Sequence, residues 1–356
     1  MNQVIFPVEK EKNSEIIAII GLSKNSGKTS FLNWLNNTFP ADERGIITTG
    51  RDGEDFDLVG GNKKPKVYIP ANTFFSTFAH IAQSNSPFIK IIRKLPFQTG
   101  GKTLWLVKSL VALNTEIVGP SSVNDQIELS EIILAEGAEQ ILIDGSLDRK
   151  SILLSPKIKN FFLVVSPEVG SKSVIFNELS RVVELSKIPL QKNFNDKSNI
   201  TIQYDNHIEE LDFASLYGNE KKLLNKIINQ KNINKIYIPG AITDKSWKII
   251  KATFLNFNFD LILKNAFNIH LNFHNFENMK KNIKLYTQHP IKLLGIVVNS
   301  FAVNGEHIDC DDLRNSIRFK FPDVKVFDIT EASVKIGKRK KIFATNARIK
   351  KKKREK

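Results

Sequence analysis

The residues with the clearest chemistry lie in one stretch, Gly21-Leu-Ser-Lys-Asn-Ser-Gly-Lys-Thr-Ser30. A glycine-containing loop ahead of a helix aims successive backbone N–H groups at one point, and such donors match a polyphosphate. In that role Gly21, Asn25, Ser26, Gly27 and Ser30 form the cradle, and Gly27 lets the backbone approach closely. Lys28 reaches the β- and γ-phosphates, and Thr29 offers its hydroxyl to Mg²⁺. In the standard spacing the first glycine falls at position 22, which is Leu22 here, so this loop is one residue longer. Lys24, four residues before Lys28, reads as a loop residue.

Mg²⁺ beside such a loop calls for an acid at the end of a neighbouring apolar strand. Ile141-Leu-Ile-Asp144 has that form and makes Asp144 the second metal residue and, with Lys28, a catalytic candidate. A strand-ending turn acid is the plainer alternative, since Gly145 follows. Arg149, five residues beyond Asp144, adds a cation for phosphate. In the acidic run 51–57, Asp52 or Glu54 would hold Mg²⁺ or orient water, and a solvated turn explains them equally well. The Asn-Lys-x-Asp guanine motif is missing, because Asn62-Lys-Lys-Pro65 lacks the aspartate, which leans towards ATP over GTP.

Three other constellations yield less. Gly100-Gly-Lys-Thr103 precedes a strand instead of a helix and reads as the start of a polar hairpin. His270 and His274 would share a helix face, but alternation with Leu271 and Phe273 fits ordinary packing and no third ligand stands near. Asp205-Asn-His207 lacks the glycine of a cobalt-binding loop, with Glu210 in its place.

The elements that must position the loop follow a βα rhythm. Strands are expected at Ile16–Ile20, Gly45–Thr48, Gln140–Ile143 and Phe161–Val165, and helices at Thr29–Leu35, Ser121–Ala138 and Ser171–Ser186. Leu104–Leu110 and Thr115–Val118 read as a hairpin around Leu113-Asn114. The pattern loosens between Gln191 and Asn234, and strands resume at Lys235–Ile238, Phe259–Leu263, Leu293–Val298 and Val324–Ile329. This divides the chain into a phosphate-loop domain over 1–190, an insertion or linker over 191–234, a second α/β segment over 235–334 and a basic tail over 335–356.

Composition narrows the classes. Of 356 residues, 41% are apolar and 25% charged, a globular balance. The net charge of +15 is a tail property: from Lys335 to Lys356 twelve Lys or Arg face one acid, leaving about +4 elsewhere. A nucleic-acid-binding face on the folded body is therefore not expected, and any such contact falls to the tail. The single Cys310 excludes an internal disulfide. Without an apolar leader or a membrane-length run, the expected location is the cytoplasm.

Taken together, the loop, Gly50-Arg-Asp-Gly-Glu54 with Lys64-Pro65, Glu116-Ile-Val-Gly-Pro120 and Ile143-Asp-Gly-Ser-Leu-Asp-Arg-Lys-Ser151 resemble the small subunit of the lysine 5,6-aminomutase reactivase. Ile238-Pro-Gly-Ala-Ile-Thr243 and Val298-Asn299, followed by Gly305 and Asp309, are similar to later segments of that family. Ser300–Val303 departs from it, replacing a Pro-containing stretch, and the basic tail has no counterpart. The resemblance implies a chaperone-like ATP- and Mg²⁺-dependent factor of lysine fermentation. Its partners would be a larger ATPase subunit and an adenosylcobalamin- and pyridoxal-phosphate-dependent aminomutase. The expected fold is a P-loop NTPase-like α/β protein with a mostly parallel sheet, of the dethiobiotin synthetase or signal-recognition type. Two rivals stand beside the reactivase: a dethiobiotin-synthetase-like ligase or kinase acting on a small carboxylate, and a scaffold that retains the loop for stability alone.

Overall fold

The computed structural model describes residues 15–38, 43–52, 66–145, 147–191, 197–228, 230, 232–299 and 309–329. Glu54, most of the acidic run and the basic tail lie outside them. From the start the described chain forms β1 (Glu15–Gly21), α1 (Lys28–Thr38), β2 (Arg44–Thr48), β3 (Arg51–Asp52), β4 (Val67–Ile69) and β5 (Phe74–Phe78). Then come α2 (Ala79–Ser84), β6 (Ile89–Thr99), β7 (Lys102–Ser109), β8 (Leu113–Thr115), β9 (Ile117–Val118), α3 (Val123–Ala135) and β10 (Gln140–Asp144). A 3₁₀ segment, Leu147–Leu154, leads to β11 (Asn160–Val165) and α4 (Lys172–Ser186). The next stretch holds β12 (Thr201–Tyr204), β13 (Ile208–Glu210), α5 (Glu220–Ile228), β14 (Ile233–Ile238), β15 (Ile242–Thr243) and α6 (Asp244–Asn256). It is followed by β16 (Asp260–Asn265), β17 (Ile269–His270), α7 (Phe273–Asn282), β18 (Lys284–His289), β19 (Lys292–Val298), α8 (Cys310–Lys320) and β20 (Val326–Asp328).

The protein is a mixed α/β chain with a main nine-stranded, mostly parallel sheet ordered β20-β19-β11-β1-β10-β2-β5-β7-β6 and a second, mixed five-stranded sheet ordered β13-β12-β14-β16-β18. The described residues divide between two compact units: those within Met1–Arg149, Phe162–Lys172 and Leu294–Lys356 form the first, those within Lys150–Phe161 and Ser173–Leu293 the second. The late strands β19 and β20, grouped by sequence with a second segment, lie in the main sheet. The loosely patterned residues after Gln191 supply β12, β13 and α5, and two of these elements are strands of the second sheet.

In the first unit β1 is buried along almost its whole length, which is why Ile16–Ile20 is a continuous apolar run instead of an alternating one. Its neighbour β10 pairs in parallel with both β1 and β2, and β2 pairs in parallel with β5. Phe31, Leu32 and Leu35 of α1 are buried, as their spacing predicts. Phe31 meets Phe162 edge-on at 5.1 Å, Phe162 meets Phe327 at 6.1 Å, and Phe327 lies 6.2 Å from Trp34. The polar side of α1 clips β4: Asn33 Oδ1 accepts from the Tyr68 N–H, and Asn36 Nδ2 donates to the Tyr68 carbonyl. Arg44 is buried below, donating to Asn36 and Gln140. Burial lowers its guanidinium to about 10, so it stays charged at neutral pH.

The hairpin partner of β7 is β6, not the 115–118 run expected from sequence. The turn is Gly100–Gly101, with φ of 56° and 74°, the left-handed pair that a two-residue hairpin demands. Leu113–Thr115 pairs instead with β4, and Ile117–Val118 with β3.

In the second unit β14, β16 and β18 run parallel, and β12 and β13 extend the sheet antiparallel. Trp247 and Phe254 of α6 stack edge-on at 6.4 Å within its core. His270 ends β17 while His274 lies in α7, so the two do not share a helix face. The side chain of Asn272, the N-cap between them, accepts from the Asn275 N–H, and this cap starts the helix after His270.

Phe31→Ala should destabilise the first unit by about 3–5 kcal/mol, since it removes a fully buried ring from the aromatic contact beneath α1. Ile208→Ser, at an exposed position, should stay within about 0.5 kcal/mol. Urea unfolding of the two variants would separate these outcomes.

Candidate functional site

The site begins where β1 leaves the sheet. At Gly21 the chain enters a turn, and at Lys28 it becomes α1. The Leu22 N–H donates to the Val164 carbonyl at 2.9 Å, so the first loop residue is still held by neighbouring β11. Asn25 and Gly27 adopt φ of 60° and 94°. Asn tolerates this left-handed backbone, and Gly adopts it freely. Residues of this kind curl a chain into the nest geometry that receives anions.

Two close approaches explain the glycines. A Cβ at Gly21 would stand 2.0 Å from Ser26 Oγ, and a Cβ at Gly27 would stand 2.4 Å from Asn299 Nδ2. Ser26 is fully buried, and its hydroxyl has no hydrogen-bond partner among the described residues. Asn299 Nδ2 donates to the Ser26 carbonyl at 3.1 Å, while the Asn299 N–H donates to Val165 at 2.8 Å. Asn299 therefore fixes the loop to the end of the sheet. This role is not legible in the sequence, because no local spacing links positions 273 apart.

Asp144 ends β10, opposite Ile19 of β1 and Thr48 of β2, and is only 5% exposed. Thr29 Oγ1 donates to its Oδ2 at 3.2 Å. The two residues expected to share a metal are thus in contact. The Thr49 N–H and hydroxyl both donate to the Asp144 carbonyl at 3.2 Å, and Gln126 Nε2 donates to the Thr49 hydroxyl. These bonds hold the end of β10 in place. Lys28 is half-buried at the helix start and forms no ion pair with a described residue. Asn25 and Ser30 are exposed beside it.

The remaining candidates are less closely drawn in. Asp52 ends β3, pairing across to Ile117, so it follows β2 onto the same edge of the sheet. Its neighbour Arg51 makes a two-pronged pair with Glu116, with Nη2 to Oε2 at 2.9 Å. That contact explains the separate Arg51 and Glu116 motifs as one structural join. Arg149 falls in the 3₁₀ segment after β10.

Among the described residues no three His, Cys, Asp or Glu come together as a metal cluster. A cation held by Thr29 and Asp144 would complete its shell with water or phosphate oxygens, the habit of Mg²⁺. The donors also fit a polyphosphate in kind, since the left-handed Asn25 and Gly27 curl the loop just ahead of a helix start. No helix among the described residues is long and apolar enough to cross a membrane. Compared with protein-family models, curated proteins and solved structures, the chain matches none.

Asn299→Ala should cost about 1–2 kcal/mol by leaving the Ser26 carbonyl without this donor. Amide hydrogen exchange at residues 22–28 should quicken while that of β10 stays unchanged; equal protection in the variant would deny Asn299 its hold on the loop.

Proposed function

We propose that this chain binds a nucleoside triphosphate as its Mg²⁺ complex, with ATP the favoured nucleotide. The contact between the Thr29 hydroxyl and the Asp144 carboxylate carries this reading. It joins a helix-start hydroxyl to a strand-end acid on the strand beside β1, the arrangement that a phosphate-bound Mg²⁺ requires. In this reading the loop N–H groups from 23 to 28 receive phosphate oxygens, Lys28 neutralises the outer phosphates, and Thr29 and Asp144 hold the metal or its water. Mg²⁺ would supply charge neutralisation on the phosphates. Asp52 and Arg149 stand on the approach to the same edge by chain continuity, and hydrolysis would draw on Asp52 to orient water.

The cellular reading rests on the resemblance. Nucleotide binding would drive a reactivating factor for an adenosylcobalamin-dependent lysine aminomutase, working with a larger ATPase subunit. Turnover that is weak alone and rises with a protein partner is its signature; fast phosphorylation of a small carboxylate by the isolated chain would favour the ligase or kinase instead.

Lys28→Ala should lower triphosphate affinity at least ~30-fold, the loss expected when a partner of a charge-assisted contact is removed. The thermal midpoint should hold, because Lys28 is not part of the core. Unchanged affinity by calorimetry in the folded variant would overturn the site. Asp144→Asn should weaken binding in Mg²⁺ more than in EDTA. An equal loss in both would return Asp144 to a purely structural role.

A further inference from the structure

Away from the phosphate loop, a cavity of about 370 Å³ opens beside Phe78, His80, Lys94, Lys102, Thr103 and Trp105. Phe78 ends β5 and Lys102 begins the antiparallel β7, so the cavity lies on the carboxyl edge of the parallel strands, the edge on which β1 hands the chain to its loop. The strands β10, β2 and β5 intervene between β1 and β7. At the ordinary strand spacing that is about 19 Å. A phosphate held at the start of α1 does not fill this space.

We infer that this cavity is a second ligand site, for a small organic dianion that carries a planar ring. This inference does not depend on the nucleotide reading. Two of the lining groups are placed for such a ligand in advance. Lys102 Nζ stands 5.6 Å from the centroid of the Phe78 ring, and the His80 imidazole stacks on the same ring at 5.8 Å and 19°. Phe78 itself is buried and fixed, so one rigid ring orients both groups.

Lys94 reaches the cavity from β6, directly across from Trp105 of β7. Its placement depends on an irregularity: Leu95, Pro96 and Phe97 of β6 face only Leu104 between the paired rows Lys94–Trp105 and Gln98–Thr103. Such bulges re-aim side chains, and Leu95 and Phe97 are buried, which locks the distortion.

The balance of charge points to an anion. Among the described residues none that lines the cavity is acidic, and Lys94 and Lys102 form no ion pair with any of them. Two ammonium groups suit a dianionic head such as a phosphate monoester. The half-buried Trp105 indole offers a ring-sized face for stacking, and Thr103 adds a hydroxyl.

The test uses the full chain carrying Lys28→Ala, which removes the phosphate loop from the measurement. Calorimetric titration with 1-naphthyl phosphate should give saturable binding of one equivalent. Inorganic phosphate and 1-naphthol should each bind at least tenfold more weakly, since each offers only half of what the cavity recognises. Adding Lys94→Gln and Lys102→Gln should lower naphthyl phosphate affinity at least tenfold. Both lysines are exposed, so the melting midpoint should stay put. Trp105→Phe, which keeps a ring, should retain binding, whereas Trp105→Leu should lose most of it. Absent saturable binding, equal affinity for inorganic phosphate, or unchanged affinity in the lysine variant would each overturn the inference. Because the loop is disabled throughout, these outcomes are separate from the fate of the nucleotide reading.

Discussion

A strand that is covered on both edges leaves its chain no choice but to turn out of the sheet at its end. β1 lies between β11 and β10, so the peptide groups after Gly21 lose ladder partners abruptly while still near the core. Buried backbone groups require partners. Here Val164 takes the Leu22 N–H, and Asn299 gives a donor to Ser26 before α1 begins its own bonds with Phe31 to Gly27. On the proposed reading, the loop N–H groups that remain would serve the phosphates. The apolar grip on Phe31 beneath the helix keeps them where they are, since moving α1 would open the contacts among Phe31, Phe162 and Phe327.

Much of this arrangement is legible in local sequence. The apolar run before Gly21, the Gly-Lys-Thr step and the helical spacing of Phe31, Leu32 and Leu35 locate strand, loop and helix without further help. Asp144 is legible from its place at the end of an apolar run, and the Thr29 hydroxyl donates to it. What remained hidden has a common cause, that its meaning is non-local. Asn299 is an ordinary strand-end amide until β19 is laid beside β11. β6 escaped because Pro96 and its charged residues suit an edge and break alternation. Without β6, the pattern points to a turn for β7 at Leu113-Asn114, whereas the turn is at Gly100–Gly101.

The antiparallel pair β6 and β7 changes the character of the sheet at that end. Parallel strands bring helices with them and are covered on both faces. A hairpin brings no crossover, so it can present side chains at the sheet's rim. Lys94 and Trp105 stand there as cross-strand neighbours. The same nine strands thus offer two kinds of surface: backbone donors at the β1 end, and side-chain cations over aromatic rings at the β7 end.

The late position of β19 also has a consequence for biosynthesis. A ribosome releases the phosphate loop early and, 273 residues after Ser26, Asn299, with the whole of the second unit emerging in between. Until then β11 lacks a neighbour on one side, and Ser26 lacks the donor that ties it down. Pairings of such long sequence separation form slowly, because loop closure must precede their reward. A nascent chain would therefore carry an unfinished loop for most of its synthesis, and competence to grip an anion would arrive with the last strands, as a late checkpoint on the whole fold.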